Sequence, residues 1–241
     1  MTDTTNVNET KETKETKEQE YKTVELSGLE IHYRKWKVRE KLDLDKVDLN
    51  ATLDTIQKQL EKRKIFVYNC LKEPVLLDIE QYNYVLSLIR EYSLHTPLEF
   101  TLECHNCKTQ FLQSLSTPEI ISYRDANYKD ISVGGKTFKL GNLTDHNYDF
   151  DILNSNSTAE RYLVDFAYHV QEINGEPISP TDALEVISDF NVDDFQVLFD
   201  TWNAQKFVCD FAKTIKCPEC GVDDVYEFDN LTAFFPKSWN V

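Results

Sequence analysis

Glycine and proline are scarce in this sequence of 241 residues, and long apolar runs are missing from it. Only 6 glycines and 7 prolines are present, which argues against a loop-rich or fibrous chain. Lys and Arg number 26 against 42 Asp and Glu, which gives a net charge of −16. This charge disfavours nonspecific nucleic-acid binding, because a face that binds DNA needs clustered cations. No apolar run approaches the roughly 18 residues that cross a bilayer, so we expect no membrane contact.

The first 20 residues also lack the apolar stretch of a secretory signal peptide. They repeat the triplet Lys-Glu-Thr and contain Val7 as their single apolar residue after Met1. We predict a disordered tail over residues 1–20; the alternative is a tether to a neighbouring subunit. The chain is expected to fold in a reducing cytoplasm, where six cysteines indicate a metal site or buried thiols before disulfides.

The rest of the chain is rich enough in apolar residues to build a core, with 41% hydrophobic and 12% aromatic residues. Alternation from Leu29 to Tyr33 predicts a strand with one buried face. A polar helix is predicted from Asn50 to about Lys64, and a stronger one is predicted from its cap at Asp78 to about Tyr92.

The second half of the chain carries a helical block from Ser157 to Trp202. Ser157 with Glu160 forms a possible capping box, Ser179-Pro180 starts a second helix, and Asn191 starts a third. Gly134-Gly135 and Asn174-Gly175 are predicted as tight turns between strands or elements. The aromatic residues recur at helical spacing, which indicates core packing rather than a ligand site.

Signals for catalysis are absent from the sequence. It has no phosphate-binding glycine-rich loop, no HExxH motif and no EF-hand loop. No histidine stands in a recognisable pattern with a nucleophile and a third orienting group. Asp145, His146 and Asp149 form a weak candidate metal cluster, but a solvated acidic loop explains them better. We therefore predict that the protein is not an enzyme and takes no small-molecule substrate.

Two Cys-x-x-Cys pairs carry the chemically informative signal. Cys104 and Cys107 form the first pair, and Cys217 and Cys220 the second. A two-residue gap lets both thiolates of a tight turn face one ion, and two such turns supply the four ligands of tetrahedral Zn²⁺. Pro218 within the second pair and Gly221 after it suit a sharp turn. Cys70 and Cys209 are predicted to be buried free thiols.

The distance between the pairs shapes the predicted fold. Zinc-ribbon pairs usually lie about 15–20 residues apart, whereas 109 residues separate Cys107 from Cys217. We predict an α+β protein whose zinc-ribbon-like core is interrupted by an inserted strand and helical segment. The predicted boundaries are 21–116 for the N-terminal region, 117–206 for the insertion and 207–241 for the closing segment.

Two other interpretations of the cysteines remain open. Cys104 and Cys107 would form a redox pair if a helix began at them, but Lys108-Thr109-Gln110 offers no helix cap. The two pairs are also compatible with two unrelated sites. A closed site of four cysteines has no open coordination position, so a shared zinc ion would be structural.

The order of these features resembles the baseplate hub and hub-assembly proteins of T4-type contractile-tailed phages. The resemblance runs from about Tyr21 to Trp239. The matching stretches are Phe66-Val67-Tyr68-Asn69-Cys70-Leu71, the helix with Tyr84, Ile89, Arg90 and Ser93, Phe100 with the first cysteine pair, Lys136-Thr137-Phe138-Lys139-Leu140, Ile173-Asn174-Gly175, and the second pair followed by Leu231, Phe234 and Phe235.

This resemblance implies an assembly protein that contacts other baseplate and tail proteins. It places the protein in the virion tail baseplate, assembled in the host cytoplasm, and leaves open whether it stays in the mature virion. The alternative function is a zinc-ribbon regulator that binds nucleic acid. That function needs a basic face, and Arg34, Lys35, Lys37 and Arg39 make only a short cluster that we interpret as the solvated side of a strand.

Overall fold

The computed structural model describes residues 20–40, 64–148, 151–152, 155 and 157–228. Outside these ranges lie residues 1–19 of the predicted tail (1–20), the predicted helix from Asn50 through residue 63, Asp149, and the aromatic residues after Phe228. Helices and antiparallel strands are mixed along the described chain. This confirms the prediction that the fold combines α-helices with β-strands. None of the described helices combines the length and the apolar character needed to cross a bilayer.

The elements follow one another in a mixed order. The strands are β1 (Lys22–Leu26), β2 (Leu29–Tyr33), β3 (Leu98–Glu103), β4 (Gln110–Leu115), β5 (Ile121–Arg124), β6 (Ile131–Val133), β7 (Lys136–Leu140), β8 (Val170–Ile173), β9 (Glu176–Pro177), β10 (Val208–Lys216) and β11 (Asp223–Glu227). The helices are α1 (Ile79–Leu94), α2 (Thr117–Ile120), α3 (Thr158–His169), α4 (Pro180–Ser188) and α5 (Val192–Gln205). Residues 64–70 are also helical.

The strands form four small antiparallel sheets in the described part of the chain. Their orders are β1-β2, β3-β4, β11-β10-β5 and β6-β7-β8-β9. Both predicted tight turns are confirmed: Gly134-Gly135 joins β6 to β7, and Asn174-Gly175 joins β8 to β9. Asn174 and Gly175 have φ of 55° and 83°, as a type I′ turn between twisted strands requires.

Two principal cores divide the apolar residues. The first lies under α1 and receives side chains from the helical segment 64–70, from β1 and β2, and from β10 and β11. The second lies between the sheet β6-β7-β8-β9 and the helices α3, α4 and α5, with Trp202 and Phe138 fully buried. A third, smaller cluster includes Tyr148 and Tyr168 and packs against Leu76 and Ile79, so it links the helical block to the start of α1.

The four predicted helix starts that lie within the described residues are confirmed. Asp78 caps α1 by accepting the N–H of Gln81, and the Gln81 side chain accepts the N–H of Asp78 in return. Ser157, Ser179 and Asn191 each accept an N–H from the residue three positions later. These bonds satisfy amides that have no partner within the helix.

The short helix α2 was not predicted, because the region after Phe111 shows a strand-like and irregular pattern. A local bond fixes this helix: the Glu119 carboxylate accepts the N–H and the hydroxyl of Ser116. The following strand, β5, pairs with β10. The closing part of the chain therefore packs against a segment about 90 residues earlier in the sequence.

Arg34 corrects the interpretation of the basic cluster around Trp36. Its side chain is buried and forms a bidentate ion pair with the buried Glu40, with nitrogen–oxygen distances of 2.7 and 3.0 Å. It also donates to the carbonyl oxygens of Lys35 and Asn69. Arg34 is thus an internal cation and not part of a solvated strand face.

Candidate metal centre

The fold brings all four cysteines of the two pairs together. Cys104 and Cys107 lie in the turn between β3 and β4, and Cys217 and Cys220 lie in the turn between β10 and β11. Glu103 pairs with Gln110 at the end of the first hairpin, and Lys216 pairs with Asp223 at the end of the second. Each pair therefore occupies a hairpin tip, and the two tips face each other.

The sulfur atoms have the spacing of metal ligands. All four lie within 4.8 Å of one another, with Cys104 Sγ 3.6 Å from Cys220 Sγ and Cys107 Sγ 3.7 Å from Cys217 Sγ. A disulfide requires about 2.05 Å, so these pairs are not bonded to each other. Tetrahedral zinc with Zn–S bonds of about 2.3 Å separates its sulfurs by about 3.8 Å. The cluster is therefore compatible with one zinc ion.

The two turns have the same hydrogen-bond pattern. Lys108 donates its N–H to the Cys104 carbonyl at 2.9 Å, and Gly221 donates to the Cys217 carbonyl at 3.0 Å. Cys104 donates in turn to the Thr109 carbonyl, and Cys217 donates to the Val222 carbonyl. In both turns the first cysteine is buried and the second is exposed.

Hydrogen bonds to the exposed sulfurs favour their thiolate forms. The hydroxyl and then the N–H of Thr109 hold the pKa of Cys107 at about 6. The N–H of Val222, followed by the side chain of Asn106, lowers the pKa of Cys220. The thiolate is the form that binds metals, so the hydrogen bonds at Cys107 and Cys220 are compatible with a metal site.

Contacts beside the cluster also join the two hairpins. The His105 N–H donates to Asp224 Oδ2 at 2.9 Å, and its ring Nδ1 lies 3.1 Å from Asp224 Oδ1. The His105 ring stacks on Tyr226, whose hydroxyl donates to the Glu103 carbonyl. The sequence pattern did not predict the contacts of His105, Asp224 and Tyr226. The only local sign of these contacts is the position of His105 between two cysteines. That position does not indicate that Asp224 is its partner.

Other ligand-capable residues do not join this cluster. Cys70 and Cys209 are confirmed as free, buried thiols, and burial raises the pKa of each to about 12. Among the described residues, the four clustered cysteines are the only group found with metal-ligand spacing. Asp145 instead accepts the N–H of Asn147 within its own loop.

A separate polar cluster lies between the cores. Buried His169 has its Nε2 4.0 Å from Asp78 Oδ2 and 3.8 Å from Asp165 Oδ1, and Lys206 Nζ is 3.6 Å from Asp165 Oδ2. Burial, followed by the charge of Asp165, raises the pKa of Asp78 to about 7. Burial lowers the pKa of His169, whose Nδ1 lies 2.8 Å from the Gly141 carbonyl oxygen.

Comparison with known proteins identifies one family. The model of the family described as T4 bacteriophage base plate protein matches residues 16–236. This range contains both hairpins, all four clustered cysteines and the helical block, so the match concerns nearly the whole chain. No curated protein and no solved structure matches the chain.

Proposed function

The chain belongs to the T4 bacteriophage base plate protein family, and from this premise we propose that it is an assembly protein of the baseplate hub in a contractile-tailed phage. The family makes it a structural protein of the baseplate. The hub position and the action through contacts with other baseplate and tail proteins are our proposal. The family match is the single observation that carries it.

We further propose that Cys104, Cys107, Cys217 and Cys220 hold one structural Zn²⁺. The donor set supports this, because four thiolates suit Zn²⁺ better than hard cations such as Mg²⁺ or Ca²⁺. Backbone and side-chain donors around the sulfurs supply the outer contacts that orient metal ligands. With four protein ligands the ion has no open position for water or substrate, so the site stabilises the fold and performs no chemistry.

The ion would act as a staple between distant parts of the chain. It joins the tips of two hairpins that are separated by 109 residues between Cys107 and Cys217. The proposed arrangement is a ribbon-like pair of hairpins with the segment 117–206 inserted between them. The second core, built from residues between Ile131 and Trp202, supports this division.

The alternative function, a regulator that binds nucleic acid, gains no support from the described residues. Arg34 cannot form part of a basic surface that binds nucleic acid, because its side chain is buried against Glu40. The net charge of −16 opposes the release of counterions that drives DNA binding. We therefore keep assembly by protein contacts as the proposed function.

The test is a phage that lacks this chain. We expect its lysates to contain heads without finished tails, and a plasmid-borne copy to restore tails. Peptide identification in purified wild-type tails then decides whether the protein remains in the particle or acts only during assembly. Finished, infectious tails in the absence of the chain would overturn the proposal.

A further inference from the structure

An apolar groove runs between α3, α4 and α5 of the helical block, and none of its lining residues belongs to the cysteine hairpins. Its volume is about 440 Å³. Side chains that line it include Tyr162, Leu163, Phe190, Val192, Phe195 and Phe199. It is the surface formed where three amphipathic helices meet, and it lies directly over the second core, whose residue Ile187 also lines the groove.

The groove leaves large apolar side chains in contact with water. Val192 is 81% exposed and Tyr162 is 47% exposed. Aromatic contacts order the side chains that line the groove. Tyr162 packs edge-on against Phe199 with ring centroids 5.6 Å apart, and Phe195 stacks on Phe199 with ring centroids 5.8 Å apart. Single exposed apolar residues are ordinary, whereas a continuous apolar groove marks an interaction site.

Residues 162–205, which supply every lining residue of the groove except Ala159, form a strongly acidic segment. No Lys or Arg occurs from Tyr162 to Gln205, a stretch with nine carboxylates. Lys206 lies beside Asp165, and Lys139 neutralises Glu172. The other seven have no ion-pair partner among the described residues: Glu176, Asp182, Glu185, Asp189, Asp193, Asp194 and Asp200. Asp200 itself lines the groove.

We propose that this groove binds a segment of another tail or baseplate protein, with an apolar, aromatic-containing anchor flanked by Lys or Arg. This inference rests on the proposed assembly function and names the contact by which that function is exerted. Buried aromatic anchors supply most of the affinity at such interfaces. Complementary charge at the rim steers the partner and selects it against acidic competitors.

The same charges argue against other classes of partner. Nucleic acids and anionic membrane surfaces both carry negative charge, so the seven unpaired carboxylates would repel them. A neutral apolar segment would fill the groove but leave the acidic rim without a counterpart. The basic-flanked peptide is the occupant that satisfies both the apolar wall and the charge.

The probe is a set of overlapping synthetic 20-residue peptides that cover the other tail and baseplate proteins of the phage. Binding to the full chain is measured by fluorescence anisotropy. We expect binding to concentrate in peptides with apolar anchors and basic flanks, and to weaken as salt is raised. Absence of any binding peptide, or preference for acidic flanks, would overturn the proposal.

A matched pair of double variants locates the contact. Tyr162→Gln with Val192→Gln removes apolar surface from the groove without changing the charge. Val197→Gln with Val225→Gln removes comparable exposed surface outside it, since these residues are 54% and 57% exposed. The first variant should weaken binding by at least ~10-fold, which is about 1.4 kcal/mol, and the second by less than ~2-fold. Equal effects of the two variants would contradict a site in the groove.

A second pair tests the charge of the rim. Asp200→Asn should weaken the binding of the same peptides and reduce its salt dependence. Asp210→Asn, which changes an exposed carboxylate on β10, should alter neither.

Two further measurements test whether another molecule occupies the groove. Groove-dependent dimerisation in sedimentation, or groove-dependent binding of a peptide with the sequence of residues 229–241, would assign the groove to a second copy or to this chain and overturn the proposal.

The two proposals fail separately. If tails form without the chain, the proposed function is wrong, whatever the peptides do. If tails require the chain but the double variant in the groove supports normal assembly and no peptide binds, the assembly function stands and only the groove inference is wrong.

Discussion

Lys108 and Gly221 hold equivalent positions in the two cysteine turns. Each is the fourth residue after the first cysteine of its pair, and each donates its N–H to the carbonyl of that cysteine. Both have a left-handed backbone, with φ of 61° at Lys108 and 70° at Gly221. Only the second turn uses the residue that adopts this conformation without a steric cost. One turn geometry is therefore built from two different sequences.

The first prediction uses this equivalence. Gly221→Ala should lower the free energy of unfolding by about 1–2 kcal/mol, because a Cβ disfavours positive φ. A Cβ there would meet its nearest atom, Lys216 Cε, at 3.7 Å, so no clash adds to the cost. Lys108→Gly should change it by less than ~1 kcal/mol, since relief of strain offsets the greater freedom of the unfolded chain. Urea unfolding of both variants measures this, and a larger loss for Lys108→Gly would contradict it.

Local signals explain why much of the fold could be predicted from the sequence. Asp78, Ser179-Pro180 and Asn191 define helix starts by bonds that reach only three residues along the chain. The Asn174-Gly175 turn is equally local. The cysteine spacing predicted two turns able to share an ion, and the described structure brings the four sulfurs together.

Contacts over long sequence distances could not be predicted in this way. The Arg34–Glu40 pair depends on burial against residues 64–70, which no charge pattern in residues 34–40 indicates. The His105–Asp224 contact joins residues 119 positions apart. In both cases nothing in the neighbouring sequence marks the charged or polar side chain as unusual. Its partner is determined only by how distant segments pack in the folded protein.

The second prediction concerns the buried Arg34–Glu40 pair. Glu40→Ala should destabilise the protein by about 3–5 kcal/mol, because it leaves the Arg34 guanidinium buried without a carboxylate. Glu172→Ala, which breaks the more exposed pair with Lys139, should cost under ~1 kcal/mol. Chemical denaturation compares the two. Equal costs would mean that Arg34 reaches solvent when Glu40 is removed.

The third prediction separates the second core from the groove above it. Trp202 is fully buried, so Trp202→Ala should cost about 3–5 kcal/mol. Phe199 is only partly buried and also lines the groove, so Phe199→Ala should cost roughly half as much. Thermal and urea unfolding provide the measurement. A Phe199 variant as unstable as the Trp202 variant would place Phe199 in the core.

The fourth prediction concerns pH and the Asp78 carboxyl. Its pKa is raised from 3.8 to about 7 in the folded protein, mainly by burial. Between these values the folded state binds more protons than the unfolded state, so this group makes stability fall as pH rises from about 4 to about 7. Asp78→Asn keeps a capping side chain but cannot titrate. Its stability relative to the wild type should therefore increase across this window.

His169 changes the pH dependence of stability in the opposite direction to Asp78. Its pKa is lowered by burial, so the unfolded state binds the extra proton and stability is lost as pH falls below about 6.5. Both proteins contain His169, so this effect largely cancels in the difference between them. Urea unfolding at about pH 4, 5, 6 and 7 gives that difference. A constant difference would show that Asp78 is ionised throughout.

The last prediction concerns the proposed zinc staple. Cys220→Ser should lower the zinc content well below one ion per chain, whereas Cys70→Ala, which leaves the cluster intact, should not. Structural zinc contributes roughly 10–16 kcal/mol of apparent binding free energy in small peptides, comparable to or above the stability of a whole domain. Its loss should therefore release the hairpin tips, whose remaining contacts centre on His105 and Asp224.

Limited proteolysis shows which segment unfolds when the ion is lost. In the Cys220→Ser variant, cuts should fall between residues 208 and 224, while residues 157–202 stay protected because the second core does not include the cysteines. Wild-type protein treated with a chelator should give the same cuts, which separates loss of the ion from loss of the thiol. If the variant keeps zinc and resists protease, the two cysteine pairs do not share an ion. In that case the contacts of His105, Asp224 and Tyr226 would be what joins the hairpins.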